Sequence, residues 1–194
     1  GILQTTVYRA VPITFAALSG VLCERSGVVN IAIEGMLLSG AFVAAVVSSI
    51  TGNNWIGLGA AIFTGGLLGG VLAVLAIRYR VNQIIAGTAV TMLGLGLTGT
   101  LYRGLYGASG AALGTPTVSP VAIPGLSAIP VLGPTLFTQP LPTYALYVLV
   151  PVMEWWMRHT QAGLALCATG EHLDAAAAAG ISPRRVRLAA LAFT

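Results

Sequence analysis

Long apolar stretches, separated by short polar breaks, dominate the chain. A helix needs about 20 mostly apolar residues to cross a hydrocarbon core of about 30 Å. Stretches of that kind predict membrane-spanning helices near residues 4–23, 31–50, 55–77, 81–102 and 144–157. A further apolar run begins at Leu188 and continues to the end of the chain. The pattern predicts an all-α, polytopic transmembrane bundle of about five spans plus the start of a sixth, and hence a piece of a larger protein.

The segment between the fourth and fifth predicted spans has a different composition. Seven of the ten prolines lie between Pro116 and Pro142, interleaved with glycines. Proline removes a backbone donor and breaks helices, and irregular backbone is not tolerated against lipid. We therefore expect residues 107–140 to form an extracytoplasmic loop or, alternatively, a re-entrant element buried in protein.

The scarcity of charge supports a membrane protein. Only 7% of the residues are charged and the mean hydropathy is +0.89, whereas soluble domains carry about 25% charged residues. All nine basic residues are arginines, placed singly or in small groups between apolar runs, so we expect no nucleic-acid partner. Seven of them fall in segments 24–30, 78–82 and 158–187. This bias predicts that those segments are cytoplasmic and that the N-terminus is extracytoplasmic.

The segment 158–187 contains the most distinctive polar sequence. Residues 170–181 read Gly-Glu-His-Leu-Asp-Ala-Ala-Ala-Ala-Ala-Gly-Ile. This predicts one short Ala-rich helix with Glu171 and Asp174 in its first turn, ended by Gly180 in a left-handed conformation. Such a helix suits docking to a partner protein, and an ordinary interfacial helix is the alternative.

A second polar run lies between the first two predicted spans. Residues 24–36 read Glu-Arg-Ser-Gly-Val-Val-Asn-Ile-Ala-Ile-Glu-Gly-Met. Charges near membrane depth are usually paired, so we expect Glu34 to pair with Arg25 or with a loop arginine. Four polar residues are candidates for the lining or gate of a translocation path: Asn30, Glu34, Asn82 and Gln83. The alternatives are a buried polar network for the first two, and helix-start or interface positions for the last two.

Other residues favour structure over catalysis. Small residues allow helices to approach closely in lipid, which is the role expected for Gly65, Gly66, Gly69, Gly70, Gly87, Gly94, Gly96 and Gly99. The Gly66-x-x-x-Gly70 pattern fits packing within the chain or, alternatively, a dimer contact. We expect Cys23 and Cys167 to behave as small buried hydrophobes. The two histidines, His159 and His172, lie in one loop without a nucleophile or a phosphate-binding motif, so neither catalysis nor a metal site is expected.

These segments resemble a known family. Asp174-Ala175-Ala176-x-x-x-Gly180 looks like the EAA loop of ABC importer permeases, with Asp in place of the first Glu, and residues 160–171 resemble its lead-in within the ribose/branched-chain amino acid permease group. Residues 24–36, 78–87, 101–103 and 130–134 resemble the second, smaller nucleoside or simple-sugar permease subunit that works with a basic-membrane-protein-type lipoprotein receptor. The resemblance covers nearly the whole chain as one permease domain, 1–194, truncated at its C-terminus.

The resemblance implies the transmembrane subunit of an ABC importer in the bacterial cytoplasmic membrane. It implies coupling to the ATPase through Gly170, Glu171, Asp174, Ala175, Ala176 and Gly180. The expected partners are an ABC ATPase subunit that holds ATP and Mg, a second homologous permease in a heterodimer, a substrate-binding lipoprotein and the lipid bilayer. No cofactor and no enzymatic activity are expected in this chain. The alternatives are an ion-coupled secondary transporter or channel, and a membrane enzyme or scaffold.

Overall fold

The computed structural model describes residues 2–107, 118–125, 127 and 132–193, and most of them are helical. The helices are α1 (Ile2–Arg25), α2 (Ile33–Thr51), α3 (Asn54–Ala73), α4 (Gln83–Tyr106), α5 (Leu132–Leu136), α6 (Leu141–His159), α7 (Gln161–Glu171), α8 (Leu173–Ala178) and α9 (Pro183–Ala192). A π-helical turn, Val74–Arg78, continues α3. Two short strands, β1 (Val121–Ala122) and β2 (Thr138–Gln139), pair in antiparallel fashion.

The long helices agree with the predicted spans. Within the described ranges, four helices are long and apolar enough to cross a membrane, namely α1, α2, α3 with its π-helical turn, and α4. The 19-residue α6 packs beside α1 where the fifth span was predicted; Glu154 and Arg158 make its last turns more polar. Helix α9 starts before the predicted Leu188, because Pro183 suits the first turn of a helix. The prediction of an all-α, multi-pass membrane protein is confirmed.

Side-chain caps set the helix boundaries. The Asn53 Oδ1 atom accepts a hydrogen bond from the backbone N–H of Trp55 at the start of α3, and the Asn82 Oδ1 atom does the same for Ile84 at the start of α4. Each cap satisfies a donor that the first helical turn leaves without a partner. The predicted break between the second and third spans therefore lies where the sequence placed it.

Glycines bring α2 and α4 into backbone contact. A Cβ atom on Gly35 would lie 2.6 Å from the Thr91 Cα atom, and one on Gly94 would lie 2.8 Å from the carbonyl oxygen of Gly35. Gly87 approaches Ile31 and Ala32, just before α2, as closely as a packing glycine is expected to. Five other glycines from the predicted packing set have no described atom within 4 Å of a built Cβ: Gly65, Gly66, Gly70, Gly96 and Gly99. The close contact of α4 with α2 and the linker before it therefore runs through Gly35, Gly87 and Gly94, and Gly57 makes a close contact of α3 with α2, whereas the Gly66-x-x-x-Gly70 pattern makes none with described atoms.

We expect Gly35→Ala to lower the free energy of unfolding by about 1 kcal/mol. The added methyl group would push α4 away from α2, which outweighs the gain in helix propensity. Thermal unfolding of the purified full-length protein measures the difference. Gly66→Ala is the matched control and should be neutral or stabilising, since its Cβ meets open space; equal destabilisation by both variants would contradict this account of the α2–α4 contact.

The described part of the Pro/Gly-rich segment contacts α1 and the first turn of α6. The Tyr144 hydroxyl donates to the carbonyl oxygen of Val121 at 2.8 Å and accepts from the Gln139 N–H at 3.2 Å. Helix α5 contacts α1. Residues 108–117, 126 and 128–131 lie outside the described residues, so the placement of 107–140 outside the membrane remains a prediction.

Candidate functional site

Three segments that are distant in sequence meet at one end of the bundle. They are the linker 26–32 between α1 and α2, the linker 79–82 before α4, and the group of helices α7, α8 and α9. The Gln83 Oε1 atom accepts a hydrogen bond from the Val29 N–H at 2.9 Å, which joins the linker 26–32 to the first residue of α4, directly after the linker 79–82. Arg187 on α9 joins the third to the first. The distribution of arginines had predicted that these segments share one side of the membrane.

The linker 26–32 is held by an arginine that reaches across 160 residues of sequence. The Arg187 Nε atom donates to the Ser26 carbonyl oxygen at 3.2 Å, and its Nη2 atom donates to the Gly27 carbonyl oxygen at 3.2 Å. Carbonyls that follow a helix end have no intrahelical partner, and Ser26 is fully buried. We call these two hydrogen bonds the Arg187 clasp. No motif in the sequence had singled out this residue for that role.

Helix α7 touches the same linker through its backbone. A Cβ atom on Gly170 would collide with the carbonyl oxygen of Arg25 and would lie 3.1 Å from the backbone nitrogen of Gly27. At the other end of α7, a Cβ atom on Gly163 would likewise collide with the carbonyl oxygen of Trp156 on α6. Helix α7 is therefore wedged between α6 and the linker 26–32. The sequence alone identified residues 160–171 only as the segment that precedes the EAA-like loop. A signal for the start of α7 is nevertheless present, because the Thr160 hydroxyl accepts a hydrogen bond from the Gly163 N–H and so caps the helix.

The predicted single helix over residues 170–180 is wrong, because the chain forms two helices there. Gly170 and Glu171 end α7, His172 is extended with φ −144° and ψ 99°, and α8 starts at Leu173. Glu171 therefore lies in a last turn, while Asp174 lies in the first turn of α8 as expected. The break follows from packing, since the contact of α7 with the linker 26–32 fixes the direction of its last turn.

The end of α8 confirms the expected glycine cap. Gly180 has φ +83°, and its N–H donates to the carbonyl oxygen of Ala177 at 3.0 Å. The Ile181 N–H donates to the carbonyl oxygen of Ala176 at 3.0 Å. These two bonds form the Schellman arrangement, which terminates a helix sharply when a glycine supplies the left-handed residue.

Helix α8 presents a surface of small side chains. Ala176 is only 3% exposed and faces the rest of the helical group. The other residues of the expected coupling set are exposed: Gly170, Glu171, Asp174, Ala175 and Gly180. Helices α7 and α9 both contact α8. The arrangement is a short, exposed helix on a helical support, with geometry suited to docking in a complementary groove.

The polar candidates for a translocation path make local structural contacts. The Asn30 Oδ1 atom accepts from the Ala32 N–H at 2.9 Å, Asn82 caps α4, and Gln83 holds Val29. These contacts match the alternative, structural roles. Arg80, Asn82 and Gln83 also line a cavity of about 410 Å³ next to Val29. Arg80 has φ +56°, which is unusual for a residue with a side chain.

Glu34, like Asn82, is exposed, and it lies on α2. The expected ion pair with Arg25 or a loop arginine is absent from the described residues, where Arg158–Glu154 is the salt bridge found, at 3.1 Å. Glu34 instead lies in the first turn of α2, where the positive end of the helix dipole favours a carboxylate.

Comparison with known proteins identifies the group to which these features correspond. The profile of the family described as "Branched-chain amino acid transport system / permease component" matches residues 2–194. A Haloferax volcanii protein with the provisional name glucose ABC transporter permease protein is 34% identical over 192 residues, covering 98% of this chain. The guanosine ABC transporter permease protein of Bacillus subtilis is 34% identical over 193 residues and covers 96%. The nucleoside ABC transporter permease protein of Lactococcus lactis is 28% identical over 188 residues and covers 93%.

The chain spans 58%, 60% and 59% of the lengths of these three relatives. It therefore corresponds to somewhat more than half of each. No solved structure shows a significant match to the chain.

Proposed function

Because the chain belongs to the permease-component family of branched-chain amino acid transport systems, we propose that its whole protein is the transmembrane subunit of an ABC importer. The exposed helix α8, supported by α7 and α9, is the observation that carries the proposal. It lies at the same end of the bundle as the linkers 26–32 and 79–82, and the seven arginines in segments 24–30, 78–82 and 158–187 favour the cytoplasm for that end. A cytoplasmic ATPase subunit is the partner for which such a helix is suited.

In this proposal, ATP and Mg are held by the partner, and this chain supplies neither cofactor sites nor catalysis. Docking of α8 and of the exposed Asp174 would couple the ATPase to the membrane helices. Two contacts would pass the motion to the linker 26–32, namely the approach of Gly170 to Arg25 and the Arg187 clasp. The Val29–Gln83 hydrogen bond would extend it to α4. Rigid helices that move between two packings are a recurrent basis for alternating access.

The solute proposed is a nucleoside or a simple sugar. The relatives' names point to guanosine, nucleosides and glucose, which are small polar molecules. A second homologous permease and a substrate-binding lipoprotein complete the proposed assembly in the cytoplasmic membrane, with the N-terminus outside. Asn30, Glu34, Asn82 and Gln83 remain proposed residues of the path or its gate, near the end of the bundle that faces the ATPase.

Ala175→Trp tests the docking role of α8. The exposed alanine tolerates a bulky side chain within the chain itself, whereas a partner's groove would not. We expect at least a tenfold loss of co-purification with the ATPase, a loss of about 1.4 kcal/mol in binding. ATP-dependent uptake of labelled guanosine or glucose in vesicles containing the full importer should fall in parallel.

Ala122→Trp is the matched control, since Ala122 is exposed on β1 in the segment predicted to lie on the opposite side. It should leave both co-purification and uptake unchanged. Normal complex formation and uptake in the Ala175→Trp variant would refute the coupling role, and uptake driven by an ion gradient without ATP would refute the importer.

A further inference from the structure

A cavity of about 510 Å³ lies apart from the α8 surface, where α1, α6 and α7 meet. Its apolar wall is formed by four residues on α1 and α6: Leu18, Val150, Met153 and Met157. Its polar lining is formed by Arg25, Glu154, Arg158 and Cys167. The cavity therefore has an apolar part and a cationic part, with two arginines against one glutamate.

The cationic part lies at the level expected for the membrane interface. Arg25 is the last residue of α1, and Arg158 lies in the last turn of α6. Trp155 and Trp156 precede Arg158, and tryptophan is enriched at the boundary between hydrocarbon and headgroups. The apolar wall extends from this level along α1 and α6 toward the hydrocarbon.

The charges at the mouth are available to a ligand. Arg25 is exposed. Arg158 pairs with Glu154 at 3.1 Å, but these side chains are 72% and 61% exposed, and exposed pairs of this kind contribute little to stability. An anion could replace Glu154 as the partner of Arg158 while also reaching Arg25.

We propose that this cavity binds an anionic phospholipid. Its phosphate lies between the guanidinium groups of Arg25 and Arg158, and an acyl chain lies along Leu18, Val150 and Met153. The planar guanidinium group binds phosphate through paired hydrogen bonds, and basic pockets between transmembrane helices on the cytoplasmic side recognise anionic headgroups. The bound lipid would join α1, α6 and α7 next to the contact between Gly170 and Arg25.

The test uses the delipidated full-length protein, titrated with phosphatidylglycerol or phosphatidylcholine and examined by native mass spectrometry. We expect one phosphatidylglycerol to bind at least about tenfold more tightly than phosphatidylcholine, and Arg25→Gln/Arg158→Gln to abolish that preference. Arg184→Gln/Arg185→Gln removes the same charge from exposed positions outside the cavity lining and should keep the preference.

Alkylation of Cys167 provides a second readout, because this thiol lines the cavity while Cys23 is fully buried. Phosphatidylglycerol should slow the alkylation of Cys167 in the wild type and in Arg184→Gln/Arg185→Gln, but not in Arg25→Gln/Arg158→Gln. Equal binding of the two lipids, an unchanged preference in Arg25→Gln/Arg158→Gln, or an equal loss in both double variants would overturn the proposal. Protection of Cys167 in the delipidated protein would also overturn it, since a protein segment would then fill the cavity.

Discussion

Replacing Gly170 by valine is expected to lower the free energy of unfolding by about 3 kcal/mol, at the upper end of the usual range for overpacking. Even the first added carbon would collide with the carbonyl oxygen of Arg25 and would lie 2.9 Å from its carbonyl carbon. Both atoms are backbone, so no side-chain rotation can relieve the clash. Helix α7 would have to move away from the linker 26–32. Thermal unfolding of the full-length protein measures the loss.

Gly59→Val is the matched control for this substitution. Gly59 is also helical, on α3, and a Cβ atom built there meets no described atom within 4 Å. The control should change stability by less than about 0.5 kcal/mol. If both valine variants unfolded at the wild-type temperature, the close approach of α7 to the linker 26–32 would not exist in solution. If the proposed coupling is right, an importer with Gly170→Val should also lose solute uptake at a temperature where it stays folded, although the substitution leaves the α8 surface unchanged.

Replacing Arg187 by methionine is expected to lower the free energy of unfolding by about 3 kcal/mol. Methionine keeps the apolar stem but removes both donors of the Arg187 clasp, and hydrogen bonds to charged groups contribute about 1.5–3 kcal/mol each. We take the lower value for each of the two hydrogen bonds, because the clasp is only partly buried. Arg187→Lys can restore at most part of it, since an ammonium group lacks the guanidinium fork. Chemical or thermal unfolding should rank the wild type as the most stable, Arg187→Lys next and Arg187→Met as the least stable.

Arg185→Met is the control for the loss of charge on α9. Arg185 is exposed, so its replacement should change stability by less than about 0.5 kcal/mol. A functional readout separates the clasp from a purely structural role: in assembled importer with Arg187→Met, we expect ATP hydrolysis to continue while uptake falls at least tenfold. Equal effects of Arg185→Met and Arg187→Met would contradict the clasp.

The glycines show that the spacing of small residues does not by itself predict which helix faces are in contact. The Gly66-x-x-x-Gly70 spacing predicts a close helix contact, yet both positions face open space within the described chain. Gly35 and Gly94 make the close α2–α4 contact instead. The spacing of small residues identifies a surface that permits approach. Which surface is used depends on the rotation and crossing of each helix, and those are fixed by all of its neighbours together.

In the candidate site too, features that depend on consecutive residues were predictable, whereas features that depend on distant contacts were not. The cap at Gly180 was predictable, because it depends on a few consecutive residues and on the freedom of glycine at positive φ. The break at His172 was not, because it depends on the contact of Gly170 with Arg25. The expected partner of Glu34 was also wrong, since an ion pair depends on which side chains the packing of whole helices brings within reach. Its first-turn position gives the carboxylate a favourable field from the helix backbone.

The sequence by itself determined the membrane class, the long helices and most of their boundaries. These features follow from the length of apolar runs, from the scarcity of charge and from caps such as Asn53 and Asn82, all of which act over one or two helical turns. Tertiary structure alone decided that Arg187 binds the linker 26–32, that Gly170 touches Arg25, and that a cationic cavity opens between α1, α6 and α7. Each of these contacts joins residues far apart in the chain, and only the packing of whole helices brings them together.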